Sequence, residues 1–365
     1  MTATAASITK ATRELAKTIA FEPRTLKQAG LVYVSDEQPG FKRRRMGRAF
    51  VYFGVGGARL RDEKTIARIR RLAIPPAYTD VWICRSDNGH LQATGRDARG
   101  RKQYRYHAGW HMVRDAAKYE RLAEFADALP ALRKQVNADL KLDGLPRRKV
   151  LAAIVRLLQK SLIRIGNEEY TRENGSYGLT TLRNRHVHVR GKHLEFSFRG
   201  KSGKFHSIGL DDERLARIVR RCQELPGQKL FRYRSDDGQI EDIDSSDVND
   251  YIRQIAGEEF SAKYFRTWAG TLLAARKLAA EVRSDLEGER KSRVVAVITE
   301  VAERLGNTPT VCRKSYIHPA VFETYAENAL NLPAPLPPSR RSKTALSPEE
   351  KALRQLLRKH KKKHG

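Results

Sequence analysis

Gly306-Asn307-Thr308-Pro309-Thr310-Val311-Cys312-Arg313-Lys314-Ser315-Tyr316-Ile317-His318-Pro319 is the stretch around which the chain is organised. It ends one long apolar-periodic run and starts a short new one. Gly306 terminates the first, because glycine enters the left-handed C′ conformation without strain. Thr308 is a capping residue, and Pro309 stands at the first helical position, where a missing N–H costs nothing. Pro319 closes the segment. The reading is a short, separately mounted helix with one phenol, Tyr316, near its C-terminal end. A connector helix with a half-buried tyrosine is the plain alternative, and the stretches upstream decide between them.

Working back from Gly306, apolar residues at three- and four-residue spacing predict helices over 290–305, 263–282, 247–257 and 211–225. A β-rich island precedes them, with strands over 187–190, 194–198 and 205–208. Leu194, Phe196 and Phe198 alternate with Glu195, Ser197 and Arg199, the mark of a half-buried antiparallel strand. The run 147–165 (Val150, Leu151, Ile154, Leu157, Leu158, Leu162, Ile165) is the strongest helical pattern. Before it, Gly144-Leu145-Pro146 breaks the chain after helical runs over 110–129 and 130–142. Downstream of Pro319, a helix over 320–329 leads into a Pro-rich extended linker, 332–338. A basic helix over 347–364 follows, of a kind stable only on a partner.

The N-terminal third reads differently. Short strands are expected over 31–34, 49–53, 81–84 and 91–94, between Gly, Pro and Asp punctuation. One helix over 63–72 ends before Pro75-Pro76. Residues 1–28 are Ala/Thr/Lys-rich and read as a helix or loose arm, with an organellar presequence as the alternative. The fold class is α+β: a small β-rich N-terminal domain plus a larger, mainly helical domain carrying a three-stranded antiparallel sheet. The expected division is 1–107, 108–331, and a linker and basic tail over 332–365.

Charge narrows the partner. The 365 residues hold 71 Lys+Arg against 42 Asp+Glu, a net of +29. Residues 339–365 contribute ten Lys/Arg and two Glu, a net of +8, so +21 resides in the body. Such a field suits a polyanion, with double-stranded DNA the expected partner. A membrane surface competes in principle, but no 18-residue apolar run exists to span a bilayer. Cys84, Cys222 and Cys312 are scattered, with no CxxC, which reads as reduced thiols in a cytoplasmic protein.

Two basic clusters lie in the N-terminal third. Lys42-Arg43-Arg44-Arg45 is read as a loop ahead of a strand. In 95–106, GRDARGRKQYRY, the amide of Gln103 and the phenols of Tyr104 and Tyr106 are interleaved with arginines. A charge run is ordinarily a solvated face. Groups that neutralise phosphates, set beside groups that reach bases or sugars, favour a nucleic-acid contact here. Three further stretches stand out: LIRIGNEEY at 162–170, RGKSGK at 199–204, and AKYFRTW at 262–268. Taken alone, Arg164 is a snorkelling or ion-paired arginine, RGKSGK is a solvated β-turn, and Trp268 is core.

Together they resemble the type IB DNA topoisomerases of the small poxviral and bacterial kind. IRIGNEEYTRENGSYGLTTLRNRHV, FRGKSGKFHSIGL, KYFRTWAG and GNTPTVCRKSYIHP stand in the order of that family. The resemblance runs from the β-rich region to about residue 329 and leaves out the tail. It implies the catalytic fold shared with tyrosine recombinases. It also implies that Arg164 and Arg266 clamp a scissile phosphate, that Lys201 is the main general acid, and that Tyr316 forms a 3′-phosphotyrosyl bond. Tyr170 and Lys263 would touch neighbouring phosphates, and Gln103, Tyr104 and Tyr106 would meet the DNA from the N-terminal domain. No metal or other cofactor is implied, and a monomer with no membrane association is expected. Many relatives have histidine nine residues before the tyrosine; this chain has Asn307, which donates a hydrogen bond but carries no charge.

The chemistry is arguable without the name. A phenol with a pKa of about 10 needs its anion stabilised to attack at neutral pH. Arginine forks suit the charge that builds on non-bridging oxygens, and a lysine can protonate the leaving oxygen. Two alternatives remain at this point. A tyrosine recombinase would place a histidine where this chain has Lys263. A non-catalytic basic DNA-binding protein would not need Tyr316 at all.

Overall fold

The structure is a computed structural model that describes residues 30–47, 49–98, 100, 102–110, 119–257, 259–280, 286–337 and 342–364. The helix or arm expected over 1–28, and part of the helix expected over 110–129, lie outside these residues. The chain divides into two units, Met1–Lys118 and Tyr119–Gly365.

The first unit is a five-stranded antiparallel sheet in the order β2-β1-β3-β4-β5. Its strands are β1 (Phe41–Met46), β2 (Ala49–Phe53), β3 (Thr79–Ile83), β4 (Leu91–Arg96) and β5 (Lys102–Tyr106). Helix α1 (Glu63–Arg71) starts where the Asp62 carboxylate accepts from the Thr65 amide at 2.9 Å. It lays Ile69 on Val81, Ile83 and Ala93, which form the core. The strand expected over 31–34 reduces to one bridge, Val32 to Gly89. The basic run 42–45 is not a loop but lies within β1. Arg43 explains why: its guanidinium turns inward, donating to the carbonyls of Ile74, Pro75 and Tyr78 at 3.0, 2.9 and 2.8 Å. Part of that charge is therefore structural.

The second unit is built on α3 (Arg147–Ser161), whose residues from Val150 to Val155 are all buried. A helix apolar on every side belongs at a centre. Around it lie α2 (Leu122–Asp139), α5 (Glu213–Gln223), α6 (Ser245–Ala256) and α7 (Ala262–Ala280). The three-stranded antiparallel sheet is β6 (Val187–Arg190), β7 (His193–Arg199) and β8 (Phe205–Asp211), in that order. Leu194, Phe196 and Phe198 face inward, as the alternation predicts. A two-stranded ribbon, β9 (Arg232–Arg234) with β10 (Ile240–Asp242), was not anticipated.

Three local differences matter for function. Helix α3 stops at Ser161, four residues earlier than its pattern, because Leu162 adopts φ +59° and ends it. Arg164 thus lies on an extended segment. Helix α2 runs unbroken through Pro130, where two helices were expected, because Leu129 and Leu132 on either side are fully buried. The tail also forms a helix, α11 (Pro348–His364), and its partner is this chain. Leu353 and Leu357 join the main core, while Glu350 accepts from both Arg133 Nη atoms at 3.0 and 2.6 Å.

Candidate active site

Four segments of the second unit converge. Helix α8 (Glu287–Leu305) ends at Gly306, whose φ of +60° makes it the left-handed cap. A Cβ there would overlap the His206 ring, so glycine is required on both counts. The Asn307 amide returns to the Ala302 carbonyl at 2.8 Å, reversing the chain. Thr308 then caps α9 (Pro309–Ser315), and Tyr316 follows its last turn. Helix α10 (Pro319–Ala326) begins immediately afterwards.

The second segment carries Arg164. Its carbonyl accepts from the Leu179 amide at 2.9 Å, and Thr180 holds the Ile165 carbonyl with its amide and its hydroxyl. A Cβ at Gly178 would lie 2.6 Å from the Arg164 oxygen, so this close approach needs glycine. The Arg164 guanidinium points to the Gly306 carbonyl at 3.4 Å and donates to Asn307 Oδ1.

Arg266, in the first turns of α7, is only 4 % exposed. One terminal nitrogen donates to the Leu162 carbonyl and the other to the Leu305 carbonyl at 2.6 Å. Its Cζ lies 5.2 Å from the centroid of the Tyr316 ring, and it hydrogen-bonds the phenol. Helix α7 approaches the tyrosine closely. A Cβ at Gly270 would meet the Tyr316 carbonyl at 2.7 Å, and the Thr271 hydroxyl bonds that carbonyl at 3.3 Å.

The electrostatics follow from this placement. Burial alone pushes the Tyr316 phenol up; the charges of Arg266 and Arg164, the Arg266 hydrogen bond and the charge of Lys263 outweigh it and bring it below its ordinary value. Burial, then Arg164, lowers Arg266, while Tyr316 acts in the opposite sense. None of the largest influences on either residue is a carboxylate. Two buried donors, Arg266 Nε and Asn307 Nδ2, have no partner among the described residues. A cluster of cations with spare donors is arranged to receive an anion.

Lys201 sits in the turn joining β7 to β8, and it borders the same cleft as Arg164, Arg266 and Arg304. Lys263 opens α7 on the Tyr316 side. Tyr170 is on α4 (Glu168–Asn174) and is 41 % exposed, and among the described residues no bond joins its ring to the cluster. In the first unit Gln103 donates to Asp97 at 3.0 Å, and the Tyr104 and Tyr106 rings stack at 6.0 Å. Strand alternation puts Gln103 on the opposite face of β5 from the two tyrosines. Trp268 is buried, and its indole donates to Glu350 at 3.4 Å.

Sequence reasoning missed His206, Lys204 and Arg304. His206 lies against Gly200 and Gly306, and burial, then Arg164, Arg266 and Lys204, depress its pKa. Lys204 reaches the Asn307 carbonyl at 3.4 Å. FRGKSGKFH contained the signal for two of them, but nothing local showed that the hairpin closes over Gly306.

Residues 106–335 match the family model of the eukaryotic DNA topoisomerase I catalytic core, which includes every cluster residue above. Residues 49–97 match the N-terminal domain of bacterial DNA topoisomerase IB. The chain belongs to the type IB DNA topoisomerases. This topoisomerase is 31 % identical to the DNA topoisomerase 1B of Acanthamoeba polyphaga mimivirus over 296 residues, covering 79 % of the chain and 88 % of that protein. It is 23 % identical to the DNA topoisomerase 1B of Vaccinia virus (strain Copenhagen) over 269 residues, covering 72 % and 82 %. Helix α11 lies beyond the matched core.

Proposed function

We propose that the enzyme relaxes supercoiled duplex DNA by cutting and resealing one strand through a 3′-phosphotyrosyl intermediate. The observation that carries this reading is a Tyr316 phenol held by Arg266 in a field dominated by the cations Arg266, Arg164 and Lys263. The Tyr316 oxygen attacks phosphorus, one P–O bond forms, and the bond to the 5′ oxygen breaks. The phenolic proton is lost to solvent, which the lowered pKa favours. Arg164 and Arg266 hold the charge that grows on the non-bridging oxygens, with Asn307 Nδ2 and Arg266 Nε as further donors. Lys201 gives its proton to the departing 5′ oxygen, with Arg164 assisting. The reverse attack reseals the strand, and since one phosphodiester is exchanged for another, ATP has no part in it.

Tyr170 and Lys263 are assigned to the phosphates beside the scissile one. Gln103, Tyr104 and Tyr106 are assigned to the duplex from the N-terminal domain. The reading includes a monomer acting in the cytoplasm on the nucleoid, and among the described residues no helix is long and apolar enough to cross a membrane. A supercoiled plasmid incubated with the enzyme in chelator, without ATP, should yield a ladder of topoisomers. Denaturant should trap protein on the 3′ end of a nicked strand. Tyr316→Phe should abolish both signals and keep DNA binding. A plasmid left fully supercoiled by the wild-type protein would refute the reading.

A further inference from the structure

Tyr316 stands one residue past the end of a seven-residue helix, so the placement of its oxygen depends on what holds the last turn of α9. Carbonyls at a helix C-terminus lack donors within the helix. The carbonyl of Lys314, two residues before the phenol, receives one from outside: the Tyr119 hydroxyl donates to it at 3.0 Å. The same Tyr119 ring meets the His318 ring edge-on, with centroids 5.2 Å apart and planes at 69°. His318 is two residues after the phenol, 5 % exposed, and caps α10 by accepting from the Ala320 amide at 3.1 Å. From α11, His360 meets the His318 ring at 5.2 Å and 89°. One side chain therefore grips the nucleophile segment on both sides of Tyr316.

Tyr119 is also the first residue of the second unit. We infer that Tyr119 is a positioning residue for strand cleavage, holding Tyr316 in line through the Lys314 carbonyl and the His318 ring. This inference rests on reading Tyr316 as the nucleophile.

The test is a single-turnover measurement with enzyme in excess over supercoiled plasmid, quenched in denaturant, counting covalently nicked circles against time. Tyr119→Phe keeps the ring on His318 and removes the hydroxyl that bonds Lys314. It should slow adduct formation at saturating enzyme by about tenfold, the rate equivalent of one hydrogen bond. Tyr119→Leu removes the ring contact as well and should be slower still. Binding separates positioning from a structural role. The affinity of Tyr316→Phe for duplex should be the same within about twofold with and without Tyr119→Phe, and the melting temperature of Tyr119→Phe should fall by no more than the few degrees one hydrogen bond accounts for.

Adduct formation by Tyr119→Phe at the wild-type rate overturns the inference. So does a slowing matched by an equal loss of affinity or of folded protein. If Tyr119→Leu does not fold, Tyr119→Phe still decides. Adduct still formed by Tyr316→Phe would instead overturn the nucleophile assignment. An inert Tyr316→Phe beside a fully active Tyr119→Phe overturns the positioning role alone.

Discussion

At Tyr316 two effects of opposite sign meet. Burial favours the neutral phenol, and three cations favour the phenolate; the cations win. Arg266 also braces the Leu162 and Leu305 carbonyls, so replacing it would disturb more than the charge. The single-turnover cleavage rate should therefore climb with pH to a plateau reached below the ordinary phenol value of about 10. Lys263→Met takes away a positive charge, raises the phenol and should move that limb to higher pH. A limb that stays in place while the rate falls would mean that Lys263 acts on the phosphate alone. Tyr316 was legible because glycine, threonine and proline around it spell out the helix ends. His206 was not: its place beside Gly306 and Arg266 is created by a hairpin that lies a hundred residues away in sequence. Asn307 was read as a phosphate donor, and its Nδ2 is free for that, but its Oδ1 also accepts from Arg164. A tertiary bond of that sort has no local signature.

Among the elements, α11 shows what periodicity can and cannot reveal. Its helical pattern was visible, but its docking site was not, because the pairing is written half in α2. Arg354 and Arg358 bond the two oxygens of Asp127 at 2.9 and 2.6 Å, and Arg133 takes Glu350. Surface pairs contribute little. The Arg133–Glu350 pair differs, with side chains 20 % and 9 % exposed. Removing one partner of a buried pair leaves the other uncompensated, at a cost of about 3 kcal/mol. Glu350→Ala should lower unfolding stability by that order in a denaturant titration. Burial acts to raise the Glu350 carboxyl, but the Arg133 bond and charge win and hold it below its usual value. A depressed carboxylate stabilises above its unfolded pKa of about 4.3 and loses that contribution as pH falls. The variant should accordingly show a shallower loss of stability below that pH. Unchanged stability at neutral pH would mean that the tail is held by its other contacts, Leu353, Leu357 and the Asp127 pairs among them. The early stop of α3 was equally hidden. Ser161 and Leu162 read as good helix, and the left-handed turn at Leu162 exists because its carbonyl is needed by Arg266.

For the molecule as a whole, charge has to be divided between what faces the duplex and what is already paired. The net +29 overstates the former. In α11, Arg354 and Arg358 are taken up by Asp127, Lys361 by Glu124 and Lys363 by Glu327. Arg43, in the first unit, is spent on backbone carbonyls. Binding that rests on phosphate contacts should still be steeply salt-dependent. Six to ten contacts cost about 10³- to 10⁵-fold in affinity between 50 and 200 mM salt. Measured on Tyr316→Phe, which should bind without cutting, the logarithmic slope counts those contacts. Replacing Arg354 and Arg358 together by Gln should leave the slope unchanged, because guanidiniums seated on Asp127 have no phosphate to release ions from. Replacing Arg164 should lower it by about one contact. If the tail variant flattens the slope as much as the cleft variant does, the α11 arginines leave Asp127 for the duplex, and the tail belongs to the DNA-binding surface.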